Sequence, residues 1–287
     1  EPFKKLINQG MILGDSAFVY RIANQNKFVS AGLKDDYDTQ AIHVDVSLVN
    51  NSNELDIEGF KNWREEYKDA TFITEGDGTY QVGREVEKMS KSKYNVVNPD
   101  VICQEYGADT LRMYEMFLGP LEQSKPWNTA GLSGVHNFLK KLWKLYHKGD
   151  EFVISEEQPS NDALKILHKT IKKVREDIEA FSFNTSVSTF MICVNELAAL
   201  KCNARAILEP LAILIAPYAP HIAEELWHKM GHKHSISFAD YPIFEEKFLK
   251  ESSKNYPISF NGKMRFTLEL SLELSKNELE QIVMADE

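Results

Sequence analysis

Lys88-Met89-Ser90-Lys91-Ser92, continued by Lys93, is the stretch from which the rest of the chain is read outward. Two ammonium groups and two hydroxyls on a short segment can grip a polyphosphate. The lysines neutralise spreading negative charge, and the hydroxyls and backbone N–H groups donate hydrogen bonds. A loop of this kind stabilises nucleotidyl transfer if it closes as charge moves onto the leaving pyrophosphate. By residue type alone, a solvated Lys/Ser run is the commoner fate of such residues. The string itself carries more weight, because a specified pentapeptide occurs by chance in about one in ten thousand chains of this length.

On either side of this loop the chain changes character. Residues 15–87 are mixed, with short β-like runs such as Ala41–Val49. Thr71–Thr74 and Thr79–Val82 flank Glu75-Gly76-Asp77-Gly78 and predict a hairpin with a four-residue loop. After Asp109 the periodicity is helical. Leu132, Val135, Phe138, Leu139, Leu142, Trp143 and Tyr146 share one face. Leu164, Leu167, Ile171, Val174, Ile178 and Phe181 share another, and Val187, Phe190, Met191, Val194, Leu197 and Ala198 a third. A fourth, with Ile222, Leu226, Trp227 and Met230, is entered at Pro220 and ends near Gly231. Short polar connections favour an antiparallel bundle. From Tyr256 a β-hairpin is predicted around Asn261-Gly262, with Met264, Phe266, Leu268, Leu270, Leu272 and Leu274 alternating. Ser275 to Glu278 then has capping-box spacing. One hairpin and one short helix bury too little to be a domain alone, so a truncated unit is expected here.

The 287 residues suit two or three domains. With 43% hydrophobic and 26% charged residues, the composition excludes disordered and collagen-like chains. No apolar run reaches the roughly 18 residues of a membrane span, the longest candidate, Ala206–Ala216, being broken by Glu209 and Pro210. Cys103, Cys193 and Cys202 form no CxxC pair, which fits a reduced, intracellular protein. The net charge of −10 disfavours a nucleic-acid partner only if it is evenly spread. It is not: Leu33–Asp69 has ten acids against four bases, and the tail from Phe266 six against one. Between them lie two basic stripes without acids, Lys140, Lys141, Lys144 and Lys148, and then Lys165, Lys169, Lys172, Lys173 and Arg175. Such stripes suit an RNA backbone, although a solvated helix face has the same pattern. His221, His228, His232 and His234 with Glu224 and Glu225 contain no HExxH, and Gly231 interrupts the one i, i+4 pair, so no metal site is expected. Asn50-Asn51-Ser52 and Asn184-Thr185-Ser186 match glycosylation sequons without any sign of secretion.

Lys88-Met89-Ser90-Lys91-Ser92 is identical to the second signature of class I aminoacyl-tRNA synthetases. Asn98-Pro99-Asp100 and Tyr106-Gly107-Ala108-Asp109-Thr110-Leu111-Arg112 resemble the region beyond that loop in the same class, and Ala216–Trp227 resembles a helix start in the anticodon-binding bundle of the valyl/isoleucyl/leucyl subgroup. The chain most resembles the leucyl branch of class Ia, through Glu1–Leu6, Gln9–Leu13, Lys125-Pro126-Trp127, Phe138–Trp143 and the Asn261-Gly262-Lys263-Met264-Arg265 stretch. The resemblance is weakest over the acidic Leu33–Asp69. It implies a mainly α fold with α+β appendages: an antiparallel helical bundle preceded by a mixed α/β insertion and followed by a truncated α/β domain. The implied division is 1–14 as the end of the catalytic fold and 15–87 as a leucine-specific insertion. Residues 88–130 are then the signature loop and stem-contact region, 131–250 the tRNA-binding bundle, and 251–287 the start of a C-terminal domain.

The implied parent activity is ATP-dependent activation of leucine and its transfer to tRNA(Leu), in a cytoplasmic monomer, with Mg2+ accompanying ATP and no membrane partner. Lys91 is then the ATP-contacting lysine, Lys88, Met89, Ser90 and Ser92 shape the loop, and the basic stripes face tRNA. One departure qualifies this: no first class I signature, His-(Ile/Met)-Gly-His, precedes Lys88, and His228–His232 is one residue too long and on the wrong side. The chain is therefore expected to be a C-terminal fragment, inactive alone. An isoleucyl or valyl relative is disfavoured by the position of the insertion and the lack of a zinc-type cysteine cluster. A stand-alone tRNA-binding adaptor is disfavoured because an intact catalytic loop has no use in it.

Overall fold

The computed structural model describes residues 2–249, 253–260, 263–271 and 274–285. They divide into two compact units, one of residues 1–140 with 181–187 and the other of 141–180 with 188–287.

The first unit is built on a long strand, β1 (Ile12–Ile22), which pairs on both sides. β3 (Thr39–Val44) and β5 (Gly83–Lys88) run antiparallel to its two halves, so the last rung of β5, Lys88 opposite Leu13, leads directly into the Lys/Ser loop. β2 (Lys27–Val29) pairs antiparallel with the end of β1, and β4 (Thr71–Ile73) adds parallel to β2. Ala17, Val19, Phe28, Val44, Phe60 and Tyr80 fill the core beneath this sheet. Helix α1 (Ile57–Trp63), capped by Asp56, contributes Phe60, whose ring stacks on Tyr67 at 4.6 Å.

One expected element is different. Glu75–Gly78 does turn, with the Glu75 N–H donating to the Thr79 carbonyl at 2.8 Å, but Thr79–Val82 forms no ladder with Thr71–Ile73. β4 is taken by β2, and Tyr80 turns inward to donate from its hydroxyl to the Val29 carbonyl at 2.7 Å. Burial of an aromatic ring with a satisfied hydroxyl outweighs a short exposed hairpin. The sheet also begins at Ile12 and runs through Gly14 and Asp15 without a break, so the expected boundary at 15 falls inside a strand.

After the loop, Asn98 caps α2 (Pro99–Tyr106) by accepting from the Asp100 N–H, with Pro99 at the first helical position. Gly107, at φ +87°, makes the corner into α3 (Ala108–Phe117), and β6 (Lys125–Pro126) returns to pair with the start of β1. Helix α4 (Leu132–Tyr146) buries Leu132, Val135, Phe138, Leu139, Leu142 and Tyr146, the face read from the sequence apart from half-buried Trp143.

The second unit is mainly helical. A two-rung hairpin of β7 (His147–Lys148) and β8 (Glu151–Phe152) precedes α5 (Asn161–Glu179) and α6 (Phe183–Ala199). Then come α7 (Arg205–Ile215), a helix that carries Pro210 in its interior, and α8 (Pro220–Lys229). Tyr146, fully buried, donates to the Leu208 carbonyl at 2.7 Å. β9 (Ser253–Phe260) and β10 (Lys263–Ser271) form the expected antiparallel hairpin; its Asn261-Gly262 turn and Leu272 lie outside the described residues. Ser275 and Glu278 make the capping box, with the Ser275 N–H donating to Glu278 at 2.8 Å, before α9 (Lys276–Ala285). Among the described residues no helix is long and apolar enough to cross a membrane.

Candidate functional site

The Lys/Ser loop leaves β5 at Lys88 and makes one short helical turn, Lys91–Lys93. Ser90 caps that turn: its hydroxyl oxygen accepts from the Ser92 N–H at 3.3 Å and lies 2.8 Å from the Ser92 hydroxyl. The two serines are therefore engaged with each other, holding the turn in shape. Met89 is half-buried, whereas Lys88, Lys91 and Ser92 are exposed.

Asn95, only 2% exposed, closes the loop from behind. Its Oδ1 accepts from the Ser90 N–H at 2.8 Å, while its Nδ2 donates to the Ser16 hydroxyl at 2.8 Å and the Lys88 carbonyl at 3.3 Å. Gly14 makes room: a Cβ there would lie 2.6 Å from the Asn95 carbonyl oxygen, which no side chain tolerates. A single amide thus ties both ends of the loop to β1.

The lysines are not equivalent. Lys93 donates to Glu87, whose other oxygen lies 2.8 Å from His43 Nε2. Hydrogen bonds from Lys93, Ser16 and His43 hold the Glu87 carboxyl at about 2, well below the usual carboxylate range. Among the described residues no carboxylate lies within 4 Å of Lys88 or Lys91. The loop therefore offers two uncompensated ammonium groups and spends the third on its own anchoring. Sequence reading missed Glu87, Asn95, Ser16, His43 and Gly14. The available signal was an asparagine three residues beyond the last serine.

The two basic stripes also separate. Lys140, Lys141, Lys144 and Lys148 are all exposed, and none has a carboxylate within 4 Å among the described residues. Lys141, Lys144 and Lys148 line, with Lys201, Asn195 and Asn203, a groove of about 650 Å³ to which no carboxylate contributes. The stripe on α5 is partly compensated. Lys173 pairs with Asp177, a carboxylate only 3% exposed; Arg175 pairs with Glu179 at 4.0 Å and lies over Tyr241; and Lys172 lies over Phe244. Lys169 remains exposed beside a groove of about 520 Å³ that Glu176 and Glu196 also line.

Two of the histidines in and just beyond α8 are absorbed locally. His228 lies 3.1 Å from Glu224, and His232 stacks on Trp227 at 3.5 Å. No group of three or more metal-ligating side chains occurs among the described residues.

Residues 160–281 match the anticodon-binding domain of tRNA ligase, and 73–128 match the class I tRNA synthetases of the I, L, M and V group. Over its whole length the chain is 75% identical to leucine–tRNA ligase of Christiangramia forsetii and 65% identical to that of Flavobacterium johnsoniae. It spans about 30% of the length of these relatives. A solved relative, in the ternary complex of Agrobacterium radiobacter K84 agnB2 LeuRS, tRNA and LeuAMS, is 27% identical with a TM-score of 0.55, over 70% of this chain and 28% of that one. Relatives at these identities favour the leucyl branch over the isoleucyl and valyl ones. The chain thus carries a class I synthetase match and an anticodon-binding match, and over its whole length it is similar to a segment of about 30% of the length of leucine–tRNA ligases.

Proposed function

We propose that this chain supplies the phosphate-gripping loop and the tRNA-binding helices of a leucine–tRNA ligase, and that it does not catalyse the reaction alone. The observation that carries this is the loop itself. Lys88 and Lys91 are exposed and uncompensated on a turn clamped by Asn95, while Lys93 is neutralised by Glu87. In the complete ligase the leucine carboxylate attacks the α-phosphorus of ATP, and the bond to the β-phosphate oxygen breaks with its electron pair leaving on pyrophosphate. Lys91, with Lys88 beside it, meets that developing charge. Met89, Ser90 and Ser92 hold the turn that presents it. A tRNA(Leu) ribose hydroxyl then attacks the adenylate carbonyl and releases AMP. Magnesium enters with the nucleotide, held by its phosphates.

On this reading α4–α8 form the antiparallel bundle that lies along tRNA(Leu). The uncompensated Lys140, Lys141, Lys144 and Lys148 contribute more to phosphate contact than Lys169, Lys172, Lys173 and Arg175, most of which already have partners. The same reading divides the chain into 15–87 as the insertion, with its first boundary inside β1, 88–130 as loop and stem-contact region, 131–250 as bundle and 251–287 as the start of a C-terminal domain. The same reading takes the ligase as a cytoplasmic monomer. The test is Lys91→Ala in the complete ligase. ATP–pyrophosphate exchange falls by roughly 10²-fold or more, with tRNA affinity changed by less than about twofold. Exchange within a few-fold of normal refutes the assignment.

A further inference from the structure

We propose that Tyr94 and Arg64 are positioning residues of the signature loop: the insertion grips Tyr94 in a left-handed conformation and so fixes the turn that presents Lys91. The proposal deepens the reading above and rests on Lys91 being the nucleotide contact.

Tyr94 ends the Lys91–Lys93 turn at φ +53° and ψ +31°. That region is open to glycine but disfavoured for a bulky L residue. A tyrosine persists there only when its surroundings determine the conformation. Three contacts from the insertion do so. The Val46 N–H donates to the Tyr94 carbonyl at 3.1 Å. Arg64 donates from Nη2 to the Tyr94 hydroxyl. The Trp63 ring meets the Tyr94 ring edge-on, with centroids 4.8 Å apart at 87°. Arg64 is itself held, its guanidinium 4.4 Å from the Trp63 ring centroid and its Nη1 3.3 Å from Glu66. Trp63 rests on Phe60, which is fully buried in the aromatic core. A continuous packed path therefore runs from the core of the insertion to the residue that closes the loop turn.

The position of Tyr94 gives this path its consequence. Its N–H donates to the Lys91 carbonyl at 3.3 Å, and the next residue is Asn95, whose side chain ties Ser90 and Lys88. Rotating Tyr94 out of the left-handed region breaks the turn at Lys91 and swings Asn95 away from both. The insertion thus sets where Lys91 stands without touching it. Neither residue has a place among the reacting groups. Glycine would have been the economical choice for the backbone, so the side chain must justify the tyrosine.

Two measurements test this. In the chain as it stands, Tyr94→Phe, Tyr94→Gly and Arg64→Met each speed amide hydrogen exchange at Lys93, Tyr94 and Val46 by at least fivefold, while amides of the β1–β3 ladder stay within twofold. In the complete ligase the same variants lower kcat for ATP–pyrophosphate exchange about tenfold, leave KM for leucine within twofold, and combine non-additively: Tyr94→Phe with Arg64→Met is no worse than the poorer single variant. Unchanged amide exchange overturns the grip. Normal kcat in the variants, beside a Lys91→Ala ligase that is inactive, overturns the positioning role, as does full activity in Tyr94→Gly. A Lys91→Ala ligase with normal exchange overturns the loop reading and the positioning role with it, while the amide result still reports on the grip.

Discussion

Asn95→Ala tests how the loop is tied down. The side chain is buried and makes three hydrogen bonds, accepting from Ser90 N–H and donating to the Ser16 hydroxyl and the Lys88 carbonyl. Each is worth about 1 kcal/mol net, and a buried partner left unsatisfied costs about 1–3 kcal/mol. Ser16 is fully buried, so its lost donor is not replaced by water. Lys88 is exposed and recovers part of its loss from solvent. The sum is about 3 kcal/mol, which at a urea slope of about 2 kcal/mol per molar lowers the midpoint by about 1.5 M. The assay is urea unfolding in a Trp143→Phe/Trp227→Phe background, where fluorescence comes from Trp63 and Trp127 of the first unit. Asn95→Asp sharpens it: the aspartate keeps the acceptor for Ser90 N–H, loses both donors and brings a second carboxylate to Ser16 beside Glu87. It should be at least as destabilising at neutral pH and partly recover in acid, when its carboxyl can donate. A midpoint shift below about 0.3 M for the alanine variant refutes the clamp.

Other consequences arise from the same kinds of contact. The Glu87 carboxyl titrates at about 2 instead of 4.5, so its contribution is complete above the ordinary value and is lost as pH falls from about 4.5 through 2; Glu87→Gln should flatten the stability profile of the first unit in that window. His168 accepts at Nδ1 from the Glu245 N–H at 3.0 Å and stacks on Phe248, and burial lowers its pKa. Its protonation thus costs stability as pH falls below 6.5, and an NMR titration should find the ring midpoint below that value. Lys144→Gln/Lys148→Gln should weaken binding of the chain to tRNA about tenfold near 0.1 M salt and reduce the salt slope by about 2. Lys172→Gln/Arg175→Gln should change the slope by less than 1, and the reverse order would reassign the RNA face.

What the sequence conveyed and what it withheld have a common physical basis. The buried faces of α4, α5, α6 and α8 were legible for the most part because burial at helical period is a property of the segment itself, although Phe181, beyond the end of α5, and Ala198 of α6 are exposed; Ser275–Glu278 was legible because a capping box closes within four residues. Thr79–Val82 was misread because its competitor is remote: β2 claims β4, and Tyr80 finds the Val29 carbonyl 51 positions away. The loop shows both sides of this division at once. Its lysines and serines announce phosphate chemistry by type, yet what separates Lys91 from Lys93 is Glu87, six positions before Lys93 on the strand that leads into the loop, and what orders the serines is Asn95 anchored on Ser16, 79 positions away. The two basic stripes, of four and five bases, also differ in space, since Asp177 and Glu179, one turn further along α5, answer two of the five and no carboxylate within 4 Å answers the other stripe among the described residues. Residue type names the chemistry available, and its partners, near in the chain for Lys93, Lys173 and Arg175 and remote for Asn95, decide which groups remain free to perform it.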